Sequence, residues 1–553
     1  MKLPSLFLVF LSALIIGFKV LEAAPAQYAF RVSFTDKKGS PALSATPSWL
    51  SAKSIARRAN FGIALDSTDQ LVSPLYIDSV LQLTDGIFHV SSRWLNDCVV
   101  LLTDSSKILN LQSKTWIRNI EWVGYFADGL HLKQTQGENP KSERRHTAKV
   151  TGSASYYGSS FPAVSLVNGD YLHDLGYTGA GKLIAVLDEG FFEANSDTGF
   201  HKMRTSGSLL NTYDFLNPNA DIFYSGTHGL NCLSIMAGYL PGIYVGTAPD
   251  AQYALYATED PNFTDALYEL DNLIAGMERA DSLGADVISA SIVYNTFSSP
   301  YPSSFTHADL DGHSTNVSHA VNMAVAKGVF YTTSAGNEGT NSWNFLDAPA
   351  DADSALTVGS VGSTKVASAI SSPGPNSSGR VKPDVCLLGE NVALFTGNNT
   401  IGAYNGTSFA APQAAGYAAC LMQAFPKATP FMIREAIIKS ADHYTNPTAK
   451  IGYGVPDFKK VFQYLEVQMP KANELLVVTP NPFGNSLQLS IPANTKEAKF
   501  ALNDVLGRTI PLIITQSNST NYLLQVPTDL APGFYFLNTI LDGRKSVEKL
   551  KHE

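Results

Sequence analysis

The stretch Asn405-Gly406-Thr407-Ser408-Phe409-Ala410-Ala411-Pro412 most restricts how this chain can fold, because it sets a hydroxyl behind a glycine where an alanine-rich helix begins. Gly406 predicts a backbone turn that residues with a Cβ resist. Pro412 is compatible with a helix if it falls in the first turn, where an N–H would have no intrahelical partner. Ala410, Ala411, Ala414, Ala415, Gly416, Ala418 and Ala419 leave little bulk around the axis, so the helix is expected to run buried against neighbouring backbone. Ser408 then lies at the positive end of a buried helix. A serine at a helix start is by itself an ordinary N-cap, so any chemistry needs partners elsewhere in the chain.

Three other segments supply candidates. In Gly179-Ala180-Gly181-Lys182-Leu183-Ile184-Ala185-Val186-Leu187-Asp188-Glu189-Gly190, a glycine-rich turn feeds an apolar run that ends in a carboxylate. This reads as a buried parallel strand delivering Asp188 at its carboxyl end, where open α/β sheets place their sites. In Ser225-Gly226-Thr227-His228-Gly229-Leu230-Asn231-Cys232, a histidine opens a helix of small and apolar residues. In Tyr331-Thr332-Thr333-Ser334-Ala335-Gly336-Asn337-Glu338-Gly339, a β-prone run beginning near Val329 breaks into a glycine-flanked asparagine. Each pattern alone is also ordinary turn or cap chemistry.

Together the segments run in the order Asp, His, Asn, Ser, and from Gly176 to Phe462 the chain resembles the subtilisin-like serine peptidases. That triad order is a known template for the family rather than a rule derived from this chain. Supporting matches are Gly246-Thr247-Ala248-Pro249-Asp250-Ala251, Ala285-Asp286-Val287-Ile288-Ser289-Ala290-Ser291 and Gly379-Arg380-Val381-Lys382-Pro383-Asp384-Val385. The resemblance implies a three-layer α/β domain with a largely parallel sheet. It also implies Ser408 as nucleophile, His228 as general base and acid, Asp188 as the group that orients the imidazole, and Asn337 with the Ser408 N–H as oxyanion donors. An extended substrate is expected to pair with Ser291-Ile292-Val293, and a specificity pocket to be walled partly by Ser334-Ala335-Gly336. No cofactor is required for such chemistry and no catalytic metal is implied. Structural calcium is possible at Asp309-Leu310-Asp311-Gly312, where a solvated acidic turn is the other reading.

Two departures bear on rate. Glu189 stands where Thr or Ser is usual and either raises the basicity of the histidine or points to solvent. Leu230-Asn231-Cys232 replaces the usual continuation after His228-Gly229. These odd contexts keep open an impaired, peptide-binding protein, and the fold also admits a peptide-joining acyltransferase. Residues Tyr294 to Asn316 form a Ser/Pro/Tyr-rich insertion that reads either as a cleft rim or as a surface loop.

At the amino terminus, Met1-Lys2, an apolar stretch from Leu3 to Phe18 and Ala23-Ala24-Pro25-Ala26 read as a secretory signal peptide over 1–24. The stretch is too short for a membrane span, and no later segment qualifies. Residues 25–135 alternate strand-like runs (Tyr28 to Phe34, Val99 to Thr103) with helical ones such as Ser51 to Arg58. Their place before a peptidase suggests an α+β propeptide, with an independent binding domain as the alternative. Gly129 to Lys149 is a polar, charged linker suited to proteolytic activation. The peptidase-like domain is assigned to 136–468.

Residues 472–553 contain Thr479-Pro480-Asn481-Pro482-Phe483-Gly484-Asn485, Leu502-Asn503-Asp504-Val505-Leu506-Gly507-Arg508 and Leu530-Ala531-Pro532-Gly533-Phe534-Tyr535. Short strands between turn residues predict a small β-sandwich. The three phrases, over about Glu474 to Leu550, resemble the type IX secretion sorting domain of Bacteroidetes-type bacteria, which implies export machinery as a partner and a secreted or cell-surface location. An accessory sandwich that binds sugar or substrate is the plainer reading. Protein or peptide substrates complete the expected partners. A formal charge of −9 without a basic stripe argues against nucleic acid. Cys98, Cys232, Cys386 and Cys420 read as small core residues rather than a disulfide framework.

Overall fold

Apolar runs with no polar alternation, such as Leu183-Ile184-Ala185-Val186-Leu187, suit strands covered on both faces, and they build the central sheet. The computed structural model describes residues 26–126, 154–218, 220–224, 226–260, 265–297, 304–469, 477–491, 495–518, 520–541 and 544–553. The signal peptide, the charged linker and residues 298–303 of the insertion lie outside them.

The first unit comprises β1 (Gln27–Phe34), α1 (Ala52–Phe61), α2 (Pro74–Thr84), β2 (Ile87–Ser92), β3 (Asp97–Leu102) and β4 (Ile117–Phe126). Its four strands form an antiparallel sheet in the order β2-β3-β1-β4. Val32, Phe34, Val80, Val100 and Leu111 fill the core beneath it. The α+β expectation holds here.

In the second unit, β5 (Leu183–Asp188), β6 (Leu209–Asp214), β7 (Gln252–Ala257), β8 (Val287–Ala290), β9 (Phe330–Ser334), β10 (Leu356–Val361) and β11 (Val385–Leu388) form one sheet. The order is β11-β10-β9-β8-β5-β7-β6 and every ladder is parallel. On one face lie α3 (Thr227–Ala237) and α6 (Thr407–Ala424). On the other lie α4 (Leu267–Leu283) and α5 (Asn316–Ala326). That is the expected three-layer arrangement. The small residues of α6 do what their size predicts: at Gly416 an added Cβ would fall 1.9 Å from Thr247 Oγ1.

The first unit's sheet sits on α4, where Val90, Trp94, Val99, Leu101 and Val123 share a buried apolar core with Leu270 and Ile274, and buried charge pairs join the same junction. Arg31 pairs with Asp271, while Arg57, Arg58 and Arg93 converge on Asp281, which is fully buried. The Glu278 carboxylate accepts from Ser92 Oγ at 2.6 Å, Trp94 N at 3.0 Å and Arg93 N at 3.1 Å. Lys327 reaches back to Asp69 at 2.9 Å. Arg57 and Arg58 belong to a helix that sequence pattern alone reads as amphipathic, so their burial is a tertiary effect.

The last unit is two four-stranded antiparallel sheets. One joins Val477–Thr479, Ser486–Ser490, Asn521–Gln525 and Ile513–Gln516; the other joins Thr509–Ile510, Ala498–Asp504, Gly533–Leu541 and Arg544–His552. Leu487 and Leu524 from the first sheet share a core with Leu502 and Leu537 from the second. The predicted sandwich is present. All four cysteines are free and buried, as their core reading requires.

Candidate active site

Asp188 is the last residue of β5, near the middle of the sheet, and is fully buried. Its Oδ1 accepts from its neighbour's backbone, Glu189 N, at 2.9 Å and faces His228 Nδ1 at 2.7 Å. His228 is the second residue of α3, and its side chain is 29% exposed. The next residue must be glycine for the helix to come this close: a Cβ on Gly229 would fall 2.1 Å from Gly190 O and 2.8 Å from Asp188 Cβ. Burial opposes a charge on the imidazole, but the charge and hydrogen bond of Asp188, together with Cys232, outweigh it and hold the His228 pKa well above its ordinary value.

Glu189 is half-buried rather than turned out to solvent, and its charge and that of His228 attract each other. Helix α3 has no side-chain cap at Gly226, and Glu189 Oε1 accepts from His228 N at 2.9 Å. The carboxylate therefore caps the helix from the adjacent loop, where the helix dipole favours it. Burial, and then the charge of Asp188, raise its pKa.

Ser408 is the second residue of α6 and is 7% exposed. Cys232 Sγ stands 3.9 Å from His228 Nδ1 and 3.5 Å from Ser408 O, and the Phe409 ring centroid is 5.8 Å from that of His228. The three expected residues are thus neighbours. Among the described residues no hydrogen bond joins Ser408 Oγ to His228, a contact that in ligand-free sites is often long.

Two local expectations are corrected. Gly406 is extended, with φ at 162°, so no left-handed turn is formed there. Helix α6 begins at Thr407, which puts Pro412 beyond its first turn. Proline tolerates that position because the carbonyl it would have bonded, Ser408 O, accepts instead from Ser291 Oγ at 2.9 Å and Cys232 Sγ at 3.5 Å.

Asn337 is solvent-exposed at the end of β9. Its Oδ1 accepts from Thr407 N and Thr407 Oγ1, each at 3.0 Å. An N–H can only donate, so the amide orientation is fixed and Nδ2 remains as a donor beside Ser408. As the second helical residue, Ser408 has an N–H with no intrahelical acceptor. Thr407 was not singled out from sequence, although its place between the motif glycine and serine was the available signal.

Residues 291–293 run on past the last ladder pair of β8, Ala290↔Thr333, and Ser334, Ala335 and Gly336 line the neighbouring strand end. Asp188, His228 and Cys232 each bring a ligand atom within 4.8 Å of the others. A metal there would displace the 2.7 Å contact between Asp188 and the imidazole. Asp309 accepts from Thr306 N and Oγ1, and Asp311 from the N–H groups of His313 and Ser314, so both carboxylates serve local turns. Among the described residues no helix is long and apolar enough to cross a membrane.

With this geometry in place, residues 179–455 match the subtilase family (Peptidase S8), and residues 29–141 match the Bacteroidota peptidase S8 propeptide domain. The chain belongs to the subtilase family of serine peptidases. It is 29% identical over 295 residues to subtilisin E of Bacillus subtilis (strain 168), covering 53% of this chain and 69% of that one. It is 29% identical over 281 residues to a subtilisin of Bacillus pumilus, covering 51% and 90%. The crystal structure of MycP1 with its N-terminal propeptide removed aligns with a TM-score of 0.42 at 23% identity, over 54% of this chain and 96% of that one.

Proposed function

We propose that the protein is a secreted endopeptidase that hydrolyses peptide bonds through an acyl-enzyme on Ser408. The observation that carries this reading is the 2.7 Å contact between the buried Asp188 carboxylate and His228 Nδ1, formed beside the helix whose second residue is Ser408. In the neutral imidazole, reached as pH rises through the raised His228 pKa, Nδ1 donates to Asp188 and the other ring nitrogen is free to take the Ser408 proton as the hydroxyl attacks a carbonyl carbon. The imidazolium then gives that proton to the leaving amine, and water repeats the sequence to release the acid. Asn337 Nδ2 and Ser408 N–H receive the oxyanion; removing one such donor typically costs about 2.7 to 4 kcal/mol of barrier. No cofactor takes part.

In the same reading, residues 1–24 direct export, and 25–135 form a propeptide that covers α4 until the 136–468 enzyme is released. Residues 472–553 address the chain to a type IX secretion machinery. Ser408→Ala should abolish hydrolysis of a protein substrate and labelling by a fluorophosphonate. Unchanged activity in that variant would defeat the assignment, and ligated peptides in place of hydrolysed ones would turn it toward acyl transfer.

A further inference from the structure

A carboxylate with no cation paired to it among the described residues closes the space between the two segments that flank the reacting serine. Tyr294 and Ala348 exchange backbone hydrogen bonds at 2.7 and 2.8 Å, which brings Asp347 beside Asn295; Asn295 Nδ2 donates to Asp347 Oδ1 at 2.7 Å. From the other wall, Gly336 has φ at 101°, and a Cβ there would fall 2.0 Å from Asp347 Oδ2. Ala335, Leu346 and Ala350 pack together with Val293 and Phe345, tying the walls to the floor. Asp347 itself is 2% exposed.

Its electrostatic setting is unlike that of the carboxylates under the first unit. Asp271 and Asp281 are each neutralised by arginine, whereas the outside charges acting on Asp347 are those of Glu338 and Asp265, both negative. Burial, before those repulsions, pushes the Asp347 carboxyl up to about 8. A buried anion among anions is costly until a cation joins it.

The position relative to the chemistry follows from the chain. A residue whose carbonyl oxygen rests at Asn337 Nδ2 must project its side chain within a bond or two of that point, over Gly336 and toward Asp347. A lysine or arginine stem can lie against the partly exposed Val293 while its head reaches the carboxylate. We infer that Asp347 is the specificity-determining residue of this cleft, selecting a lysine or arginine on the acyl side of the bond cut. This rests on the serine peptidase reading above. The chain carries such sequences itself: Lys133, Lys141, Arg144, Arg145 and Lys149 lie between the first two units.

The test uses the processed protein and tetrapeptide anilides that differ only in the last residue: Arg, Lys, Leu, Phe or Glu. Basic substrates should exceed apolar ones in kcat/KM by about tenfold or more, and Asp347→Asn should cut that ratio by about tenfold or more. In the unaltered protein, a peptidyl argininal should inhibit at least about tenfold more tightly than the matching phenylalaninal, a reading that does not depend on the variant folding. Fluorophosphonate labelling of Ser408 runs beside every assay. A protein that labels but prefers Leu or Phe, or that binds the phenylalaninal more tightly, overturns the role of Asp347 alone. A protein that neither labels nor cleaves any substrate overturns the peptidase reading together with it.

Discussion

Replacing Asp281 by asparagine would strike the junction between the first unit and α4 at its most charged point. The carboxylate receives Arg57 at 2.5 Å and both Arg58 and Arg93 at 2.8 Å. Burial works against its ionisation, but the three guanidiniums prevail and hold Asp281 below the usual carboxylate range. Asparagine keeps the shape, removes the charge and leaves one acceptor oxygen where two were used. Arg57 then has backbone carbonyls, such as those of Ala285 and Lys327, as its acceptors. Removing one partner of a buried ion pair costs about 3 to 5 kcal/mol, so docking should weaken by between about two and four orders of magnitude. Trp49, Trp94, Trp116 and Trp122 lie in the first unit and Trp343 alone lies elsewhere, so tryptophan emission reports the state of this unit during urea titration. The measurement belongs in a Ser408→Ala background, where the chain stays intact. A loss under about 1 kcal/mol, the size of a solvated surface pair, would refute the claim that this cluster is buried and cooperative.

The same emission change tests a pH dependence at the junction. His89 Nε2 faces Asn272 Oδ1 at 2.8 Å, and burial lowers the His89 pKa from 6.5 to about 4. Because the folded value lies below the unfolded one, the unfolded chain takes up the proton first. Stability from this group is complete above about pH 6.5 and declines toward pH 4 by up to about tenfold per unit, and His89→Gln should remove that slope. Equal slopes in both proteins would rule the histidine out. Thr407→Val removes the single hydroxyl proton shared between Asn337 Oδ1 and Gly336 O and should lower kcat by about two- to tenfold, with KM little changed. A larger rise in KM than fall in kcat would speak against a part in orienting Asn337. Gly229→Ala should destabilise the second unit by about 1 to 3 kcal/mol, read by calorimetry, since the new methyl meets Gly190 O and Asp188.

Sequence showed the ends of elements better than what meets at them. Asp188 was legible because an apolar run stops at it, and His228 and Ser408 because small residues mark helices that begin there. What sequence could not show depends on approach between distant segments. Glu189 caps a helix that starts thirty-eight residues later, as the numbering of Thr227 shows, only because β5 ends beside the start of α3. Arg57 and Arg58 pattern as a solvated helix face until α4 supplies Asp281. Nothing in the sequence singled out Asp347, and only the backbone pairing of Tyr294 with Ala348 carries it beneath Gly336. The misplacement of Pro412 has a different cause. A proline within six residues of a helix start says nothing about which carbonyl it leaves free, and that carbonyl was already claimed by Ser291.

That claimed carbonyl couples two parts of the site mechanically. The backbone of the residue bearing the attacking hydroxyl is tethered, through Ser291, to the very segment along which an extended peptide is expected to lie. A peptide that draws residues 291–293 into register therefore also tensions the first turn of α6. If a peptide pairs with that segment, seating the chain to be cut and holding the alcohol in place share one hydrogen bond.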